Sequence, residues 1–305
     1  MSKRVLFHRS FGRFAGGHLK VFDYFEHTRA TEGFEAAIYL TPDSLPANPW
    51  ADGAAITDRY APETADILFV AGMDWQALDG FPGIEERKPV ISLIQGLRHA
   101  APDTPLYEAL GRRAVRICVS AEVAEAILAT GRCNGPVHTI PNCLDLAELP
   151  AAAEAGRIDV FIAGMKQPDL AAELASRLAR HGLSVDCQTK QVERRTFLAR
   201  MARARIALLL PLAQEGFFLP ALEAMAMGCV VICPDCVGNR SFCIDGVNAS
   251  MPEAEAAAIE TAVRQVCRSP DLAARLRRSA LATSARHEIA TERAAYQTIL
   301  RRIQS

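Results

Sequence analysis

Two glutamates, Glu215 and Glu223, have seven residues between them in the segment LLLPLAQEGFFLPALEAMAMG, residues 208–228. The pattern predicts a buried strand, then a loop with Glu215 and Gly216, then a helix that starts near Pro220 and ends at a glycine. The start of a helix has unpaired N–H groups and a partial positive charge, and a glycine lets a ligand approach the backbone. The segment therefore predicts an anion site flanked by two carboxylates.

Carboxylates beside a phosphate are favourable only where they accept hydrogen bonds from hydroxyl groups, which sugars and riboses supply. A simpler alternative exists for each acid alone, because capping acids and first-turn acids are common at helix starts. The residues indicate either a site for a sugar phosphate or nucleotide, or an ordinary helix start.

Short apolar runs rich in Val, Ile and Phe alternate with amphipathic stretches, which predicts buried strands separated by helices. In the first half the predicted strands are 4–8, 34–41, 66–71, 90–95, 115–119 and 137–140, with helices at 18–28 and 122–130. In the second half they are 159–163, 183–187, 206–210 and 229–233, with helices at 169–181, 193–204 and 220–227. Residues 42–62 predict a loop, and the C-terminal residues predict helices with a break near Ser269 and Pro270.

Strands that alternate with helices predict parallel sheets with right-handed crossovers. The 305 residues suffice for two domains, and Pro141, Asn142 and the polar stretch 151–157 interrupt the pattern. We therefore predict two doubly wound, Rossmann-like α/β domains, residues 1–150 and 151–305. Such sheets bind ligands beyond the carboxyl ends of their strands, so the expected site is a cleft between the domains.

The composition excludes several classes of protein. Half of the residues are hydrophobic, 23% are charged and the formal net charge is -1, which indicates a globular protein and disfavours nucleic acid as a partner. No run is apolar enough for a signal peptide or a transmembrane segment, and nine scattered cysteines predict reduced thiols in a cytoplasmic protein. Cys233 and Cys236 have the spacing of a metal or redox pair, but no second ligand pair follows, so we predict buried thiols and no metal.

The segment 215–223 resembles the paired-glutamate motif of the family-4 retaining glycosyltransferases of GT-B fold. Residues 14–17 resemble that family's N-terminal glycine loop, and 237–240 its glycine turn after the paired-glutamate helix. Residues 137–145 resemble its hinge, although a cysteine stands where glycine is usual. The resemblance covers nearly the whole chain and implies two Rossmann-like domains that face a central cleft, with C-terminal helices. The last helix, for which 296–303 is the candidate, would cross back to the first domain.

The resemblance also implies roles for single residues. Glu223 would hold the ribose hydroxyls of a donor and Glu215 would contact its sugar. The implied catalytic residues are Glu215, His99 and Lys166. The implied donor-binding residues are Gly16, Gly17, Gly164, Lys166, Gly216, Phe217, Phe218, Leu219, Glu223 and Arg240.

Several of these roles have ordinary alternatives. Lys166 would hold the donor diphosphate, or it is a solvated loop lysine. No arginine precedes it, so the second cation is Arg240, Arg13 or Lys190. His99 would contact the donor sugar, or it is a loop histidine with an ordinary hydrogen bond, and the Gly16–Gly17 pair is otherwise a tight strand-to-helix connection.

The function implied is transfer of a sugar from a nucleoside diphosphate sugar to an acceptor hydroxyl, with retention of configuration and without a metal or other cofactor. The acceptor would be a saccharide or a glycolipid. Two alternatives stay open, an inactive nucleotide- or carbohydrate-binding protein and a sugar epimerase or phosphorylase on the same scaffold. The basic C-terminal stretch, with Arg275, Arg277, Arg278, Arg286 and Arg293, is either a peripheral membrane contact or a solvated helix face.

Overall fold

The computed structural model describes residues 2–12, 16–53, 55–151 and 157–304. The chain divides into two compact units, one formed by Met1–Asn142 with Ala290–Ser305 and the other by Cys143–Ile289. The sequence pattern suggested a division after residue 150. Residues from 143 onward already belong to the second unit because Leu144 forms a parallel bridge with Glu288.

The described part of the first unit contains one sheet of six parallel strands. Its strands are β1 (Lys3–Arg9), β2 (Phe34–Leu40), β3 (Ile67–Ala71), β4 (Val90–Ile94), β5 (Val115–Cys118) and β6 (Val137–Thr139), and its helices before residue 142 are α1 (Gly16–Arg29), α2 (Ile84–Arg87), α3 (Pro105–Glu108) and α4 (Ala121–Leu128). The strand order is β2-β1-β3-β4-β5-β6. The three central strands β1, β3 and β4 are almost wholly buried, as parallel strands covered on both faces should be.

The second unit contains a smaller sheet, with four parallel strands among its described residues. The strands are β7 (Ile158–Ala163), β8 (Val185–Gln188), β9 (Ala204–Leu209) and β10 (Val230–Ile232), and the helices of this unit after residue 157 are α5 (Pro168–Arg180), α6 (Arg194–Met201), α7 (Leu219–Ala226), α8 (Ala256–Arg268) and α9 (Pro270–Ser284). The last helix, α10 (Ile289–Gln304), belongs to the first unit from Ala290 onward. The strand order is β10-β9-β7-β8. The predicted break at Ser269 and Pro270 is confirmed, since α8 ends and α9 begins there.

Alternation along β7 and β9 divides the core of the second unit into two layers. Val160 and Ile162 of β7 pack with α5 and α8, whereas Phe161 and Ala163 pack with α6 and α7. Helices therefore cover both faces of the sheet, which is the doubly wound architecture that the sequence predicted. No described helix is both long enough and apolar enough to cross a membrane.

The C-terminal helix α10 is joined to α1 by a buried cluster of charges. Lys20 Nζ lies 2.7 Å from Glu292 Oε2 and 2.7 Å from Asp23 Oδ2, and His27 Nε2 lies 3.1 Å from Glu292 Oε1. The side chains of Lys20, His27 and Glu292 are at most 1% exposed. Burial opposes the charged forms, yet the ion pairs raise the pKa of Lys20 and lower the pKa of Glu292. The cluster therefore holds α10 on α1 as an ionic unit whose members depend on one another.

Removal of one charge from this cluster should destabilise the first unit. Glu292→Gln keeps the volume but leaves the buried Lys20 ammonium with one carboxylate, so we expect the free energy of unfolding to fall by about 3–5 kcal/mol. Glu26→Gln is the control, because Glu26 pairs with Arg29 on the exposed face of the same helix and should change it by less than about 0.5 kcal/mol. Equal urea midpoints for the two variants would contradict this account.

Candidate functional site

The predicted site segment lies at one edge of the second sheet. Strands β7, β8 and β9 are parallel, so the residues that follow them come together at their carboxyl ends. After β9 comes a loop, residues 210–218, which we call the Glu215 loop, and then α7. Lys166 follows β7, and Arg194 opens α6 after β8. One edge of the sheet therefore combines two acids with two cations.

One carboxylate oxygen of Glu215 is held by two groups. Lys166 Nζ forms an ion pair with Glu215 Oε1, and the Leu212 N–H donates to the same oxygen at 3.2 Å. The Lys166 ammonium also lies 5.5 Å from the centroid of the Phe218 ring. The Glu215 side chain is 15% exposed and that of Lys166 43%, so solvent still reaches the pair. The structure thus brings together the predicted residues Lys166, Glu215 and Phe218.

Glu223 is buried and forms an ion pair with an arginine that the sequence reasoning missed. Its side chain is 2% exposed, and Oε1 accepts from Arg194 Nη1. Arg194 is the first residue of α6, and its side chain is 29% exposed. The sequence offered no local signal for this pair, because the two residues are 29 positions apart and belong to separate helices.

The turn at Gly238 fixes the Glu215 loop from the other side. A Cβ atom on Gly238 would lie 2.9 Å from Glu215 Cβ, from Glu215 O and from Phe217 N, so only glycine fits at this distance. The carbonyl of Gly238 accepts from the Phe218 N–H at 2.8 Å, and the Val237 N–H donates to Ala213 O at 3.0 Å. The turn at residues 237–240, which resembles the family's glycine turn, therefore packs against the Glu215 loop.

The amides at the start of α7 are less available to an anion than the sequence suggested. The Phe218 N–H donates to Gly238 O, and the Leu219 N–H to Phe217 O at 3.2 Å. The amide of Phe217 makes no hydrogen bond within the described part of the chain. An anion at the start of α7 would thus find one available N–H among these three residues, so the charge of Lys166 gains importance.

Arg240 lies just after the Gly238 turn and contacts a nearby acid. Its Nε donates to Asp235 Oδ1 at 3.0 Å, and both side chains are about half exposed. This hydrogen bond lowers the pKa of Asp235. Of the other candidates for a second cation, Lys190 lies in the β8–α6 loop, and Arg13 lies outside the described residues.

Gly164, predicted to bind the donor, has a clear packing role. A Cβ atom there would lie 2.1 Å from Ala171 Cβ, because α5 crosses the end of β7 at this point. Its N–H donates to Gln188 O at 2.9 Å and its carbonyl accepts from the Gln167 N–H at 3.0 Å. The glycine therefore permits the close helix–strand approach that positions Lys166 two residues later.

This packing role predicts a stability effect for Gly164→Ala. The extra methyl group overpacks the contact with α5, so we expect the free energy of unfolding to fall by about 1–3 kcal/mol. Gly80→Ala is the control, since a Cβ at Gly80 meets nothing within 4 Å. A melting temperature of Gly164→Ala equal to that of Gly80→Ala would show that Gly164 has no packing role.

The predicted residues of the first unit follow strands β1 and β4. Gly16 begins α1, and a Cβ on Gly17 would lie 3.1 Å from Gln95 Oε1, whose amide Nε2 also donates to Gly17 O at 3.1 Å. Arg13, Phe14 and Ala15, which precede the glycine pair, lie outside the described residues. His99 follows β4 and is 5% exposed. The roles of Gly16, Gly17 and His99 toward a donor stay predictions.

His99 is held in its neutral form. Burial, with the nearby Arg98 and Arg116, lowers the pKa of His99 to about 4, and its Nδ1 has no hydrogen-bond partner among the described residues. The unfolded chain binds this proton below about pH 6.5. The folded chain binds the proton only below about pH 4. Protonation of the unfolded chain at His99 therefore lowers the free energy of unfolding as the pH falls from about 6.5 to about 4.

We therefore expect wild-type stability to decrease between pH 6.5 and 4, and His99→Gln to remove part of that decrease. Urea denaturation at pH 7, 5.5 and 4.5 measures the slope, and His138→Gln, which removes a histidine that is only partly buried, is the comparison variant. If the slopes of wild type and His99→Gln are the same, His99 is not the buried neutral group described.

At the carboxyl ends of β1 and β3, Arg9 and Asp74, which the sequence reasoning missed, form a polar cluster with His8 and His18, which the sequence offered as weaker candidates for acceptor contacts. Arg9 Nη1 donates to Asp74 Oδ2 at 2.7 Å, and Arg9 Nε donates to His18 Nδ1 at 2.9 Å. Asp74 Oδ1 lies 3.2 Å from His8 Nδ1. Arg9 and Asp74 are 65 positions apart, which explains why spacing along the chain did not reveal them.

The cysteine pair has the properties of buried thiols. Cys233 and Cys236 are at most 1% exposed and are free, and burial raises the pKa of Cys236 to about 12. The Asn239 amide donates to Cys233 Sγ at 3.3 Å. Among the residues that the structure describes, no group of three or more His, Cys, Asp or Glu side chains could hold a metal ion.

Comparison with known proteins finds one matching family model and a set of solved structures with a similar fold. Residues 124–269 match the family model described as "Glycosyl transferases group 1". No curated protein matches the chain significantly. The matched segment contains the Glu215 loop, α6 and α7, so the resemblance to glycosyltransferases predicted from the paired glutamates is confirmed.

Solved structures match the chain over nearly its whole length. HepE (Alr3699) from Anabaena, in complex with UDP and glucose, is 13% identical with a TM-score of 0.78, and the match covers 98% of this chain and 99% of that one. Sucrose-phosphate synthase from Thermosynechococcus elongatus is 14% identical with a TM-score of 0.70 and 99% coverage of both chains. The lipopolysaccharide outer core galactosyltransferase WaaB is 14% identical with a TM-score of 0.68, covering 98% of this chain and 99% of that one. These similarities confirm the predicted GT-B fold.

Proposed function

We propose that this protein transfers a sugar from a nucleoside diphosphate sugar to an acceptor hydroxyl. The observation that carries the proposal is the pair of carboxylates, Glu215 and Glu223, at the carboxyl ends of parallel strands with the Lys166 ammonium beside them. Carboxylates accept hydrogen bonds from sugar hydroxyls, and an ammonium neutralises a phosphate. One edge of the second sheet thus offers groups for all three parts of such a donor.

For these groups we propose the roles that the resemblance to the paired-glutamate motif implies. Buried Glu223 binds the ribose hydroxyls, and more exposed Glu215 orients the transferred sugar. Lys166 stabilises the negative charge that develops on the leaving diphosphate, helped by the Phe217 amide. HepE, which shares the fold, was solved with UDP-glucose, so uridine diphosphate sugars are the first donors to test.

We further propose that configuration is retained and that no metal or other cofactor takes part. The acceptor hydroxyl attacks from the face that the diphosphate leaves, a departing phosphate oxygen takes its proton, and no protein base is required. The acceptor is a saccharide or a glycolipid. NMR of the product gives the configuration of the new bond, and full activity in EDTA supports a reaction without metal, whereas inversion or loss of activity contradicts these two points.

The proposal predicts that one nucleoside diphosphate stabilises the protein through Glu223. Scanning fluorimetry with UDP, GDP, ADP, TDP and CMP measures this, since a ligand at 100 times its Kd adds about 2.7 kcal/mol to the free energy of unfolding. We expect Glu223→Ala to lose the shift and Glu253→Ala, which changes an exposed acid of the same unit, to keep it.

Turnover separates the remaining functions. Release of the nucleoside diphosphate that requires an acceptor supports a transferase. Binding without turnover would indicate a nucleotide- or carbohydrate-binding protein. Epimerisation of the donor without an acceptor would indicate an epimerase, and glycosyl transfer that requires inorganic phosphate would indicate a phosphorylase. If no nucleotide shifts the melting temperature at millimolar concentration, the proposal is wrong.

A further inference from the structure

Arg194 forms an ion pair with Glu223, and no sequence motif indicated this contact. One carboxylate oxygen of Glu223, Oε1, accepts from Arg194 Nη1. The other oxygen, Oε2, accepts no hydrogen bond within the described part of the chain. The carboxylate is therefore engaged on one side and available on the other.

The position of Arg194 is fixed by the packing of α6. Three side chains of this helix, those of Phe197, Leu198 and Met201, are buried in the same core layer as Leu222 of α7. The loop before the helix contains one further hydrogen bond, in which Gln188 Nε2 donates to Lys190 O. Arg194 is the first residue of α6 and therefore contacts Glu223 from a helix that is packed into the core.

The electrostatics require such a partner. A carboxylate that is 2% exposed loses nearly all its hydration, and its burial is costly unless a cation and hydrogen bonds replace the water. An arginine supplies a permanent positive charge and several N–H donors for such a pair. An ionised carboxylate can only accept hydrogen bonds, so its second oxygen selects ligands that donate them, such as neighbouring hydroxyl groups.

We propose that Arg194 is a positioning residue for ribose recognition. It pairs with Oε1 of Glu223 and thereby turns Oε2 toward the hydroxyl groups of the donor ribose, so that the site distinguishes ribonucleotides from deoxyribonucleotides. This inference rests on the proposed function, because it assumes that Glu223 meets a nucleotide. Arg194 itself does not contact the phosphates, which distinguishes it from Lys166.

The test compares nucleotide pairs that differ by one hydroxyl group. The Kd of the best-binding nucleoside diphosphate and of its 2′-deoxy and 3′-deoxy forms is measured by calorimetry. In wild type we expect at least one deoxy form to bind about tenfold more weakly or worse, since hydrogen bonds to charged groups contribute about 1.5–3 kcal/mol. In Arg194→Gln the ratio should fall to about 2 or less, and in Arg194→Lys, which keeps the charge, most of it should return.

One control variant and one kinetic measurement distinguish a positioning role of Arg194 from other roles. Arg195→Gln removes the same charge from the exposed neighbouring residue and should leave the ratio at the wild-type value. The ribose lies away from the bond that breaks, so Arg194→Gln should raise KM for the donor and leave kcat nearly unchanged.

Several results would overturn the inference. An unchanged ratio in Arg194→Gln means that the arginine serves only packing, and an equal loss of affinity for ribo and deoxy forms means that it binds the phosphates. Equal affinity of the wild-type protein for the ribo and deoxy forms also overturns the inference. This result does not require any variant, so it can be obtained even if Arg194→Gln does not fold. If no nucleotide binds the wild type, the proposed function fails and the inference falls with it, an outcome distinct from binding without discrimination.

Discussion

Two carboxylates at one edge of the second sheet are each held by a cation from a different strand end. Lys166 follows β7 and holds Glu215, and Arg194 follows β8 and holds Glu223. A buried carboxylate without such a partner would be costly, so the sheet must bring three strand ends together with little error. The tight contact of Gly164 with α5 and the anchoring of α6 in the core are the means by which it does so.

Most of the fold could be predicted from the sequence, because buried parallel strands leave a strong local signal. Within the described residues, each predicted strand is present with ends shifted by no more than two positions. Among the helices predicted from the sequence, α6 differs most from its predicted range, since it ends at Met201 and not at residue 204. Ala204 already starts β9, and periodicity cannot tell a last helical turn from the first residues of a strand.

The site was less predictable, since its contacts join residues that are far apart in the chain. The acids could be found because they share one segment with a recognisable spacing. Arg194 could not, because its importance lies entirely in reaching Glu223 from another helix. Gly164 was predicted as a donor-binding glycine from its place after a strand. Its packing contact with Ala171 could not be predicted, because Ala171 belongs to the next helix. The sequence indicates which groups carry chemistry, and the structure adds the partners with which they form ion pairs.

The central claim is that the Glu215 loop and α7 bind the nucleotide of a sugar donor. Hydrogen exchange of the wild-type protein with and without the best nucleoside diphosphate sugar tests it most directly, because bound ligand slows the opening of the backbone it contacts. We predict slower exchange in peptides from 188–201 and 210–226, and no such protection in Glu223→Ala. Saturating ligand that leaves these peptides unprotected, or protects only other parts of the chain, would contradict the account.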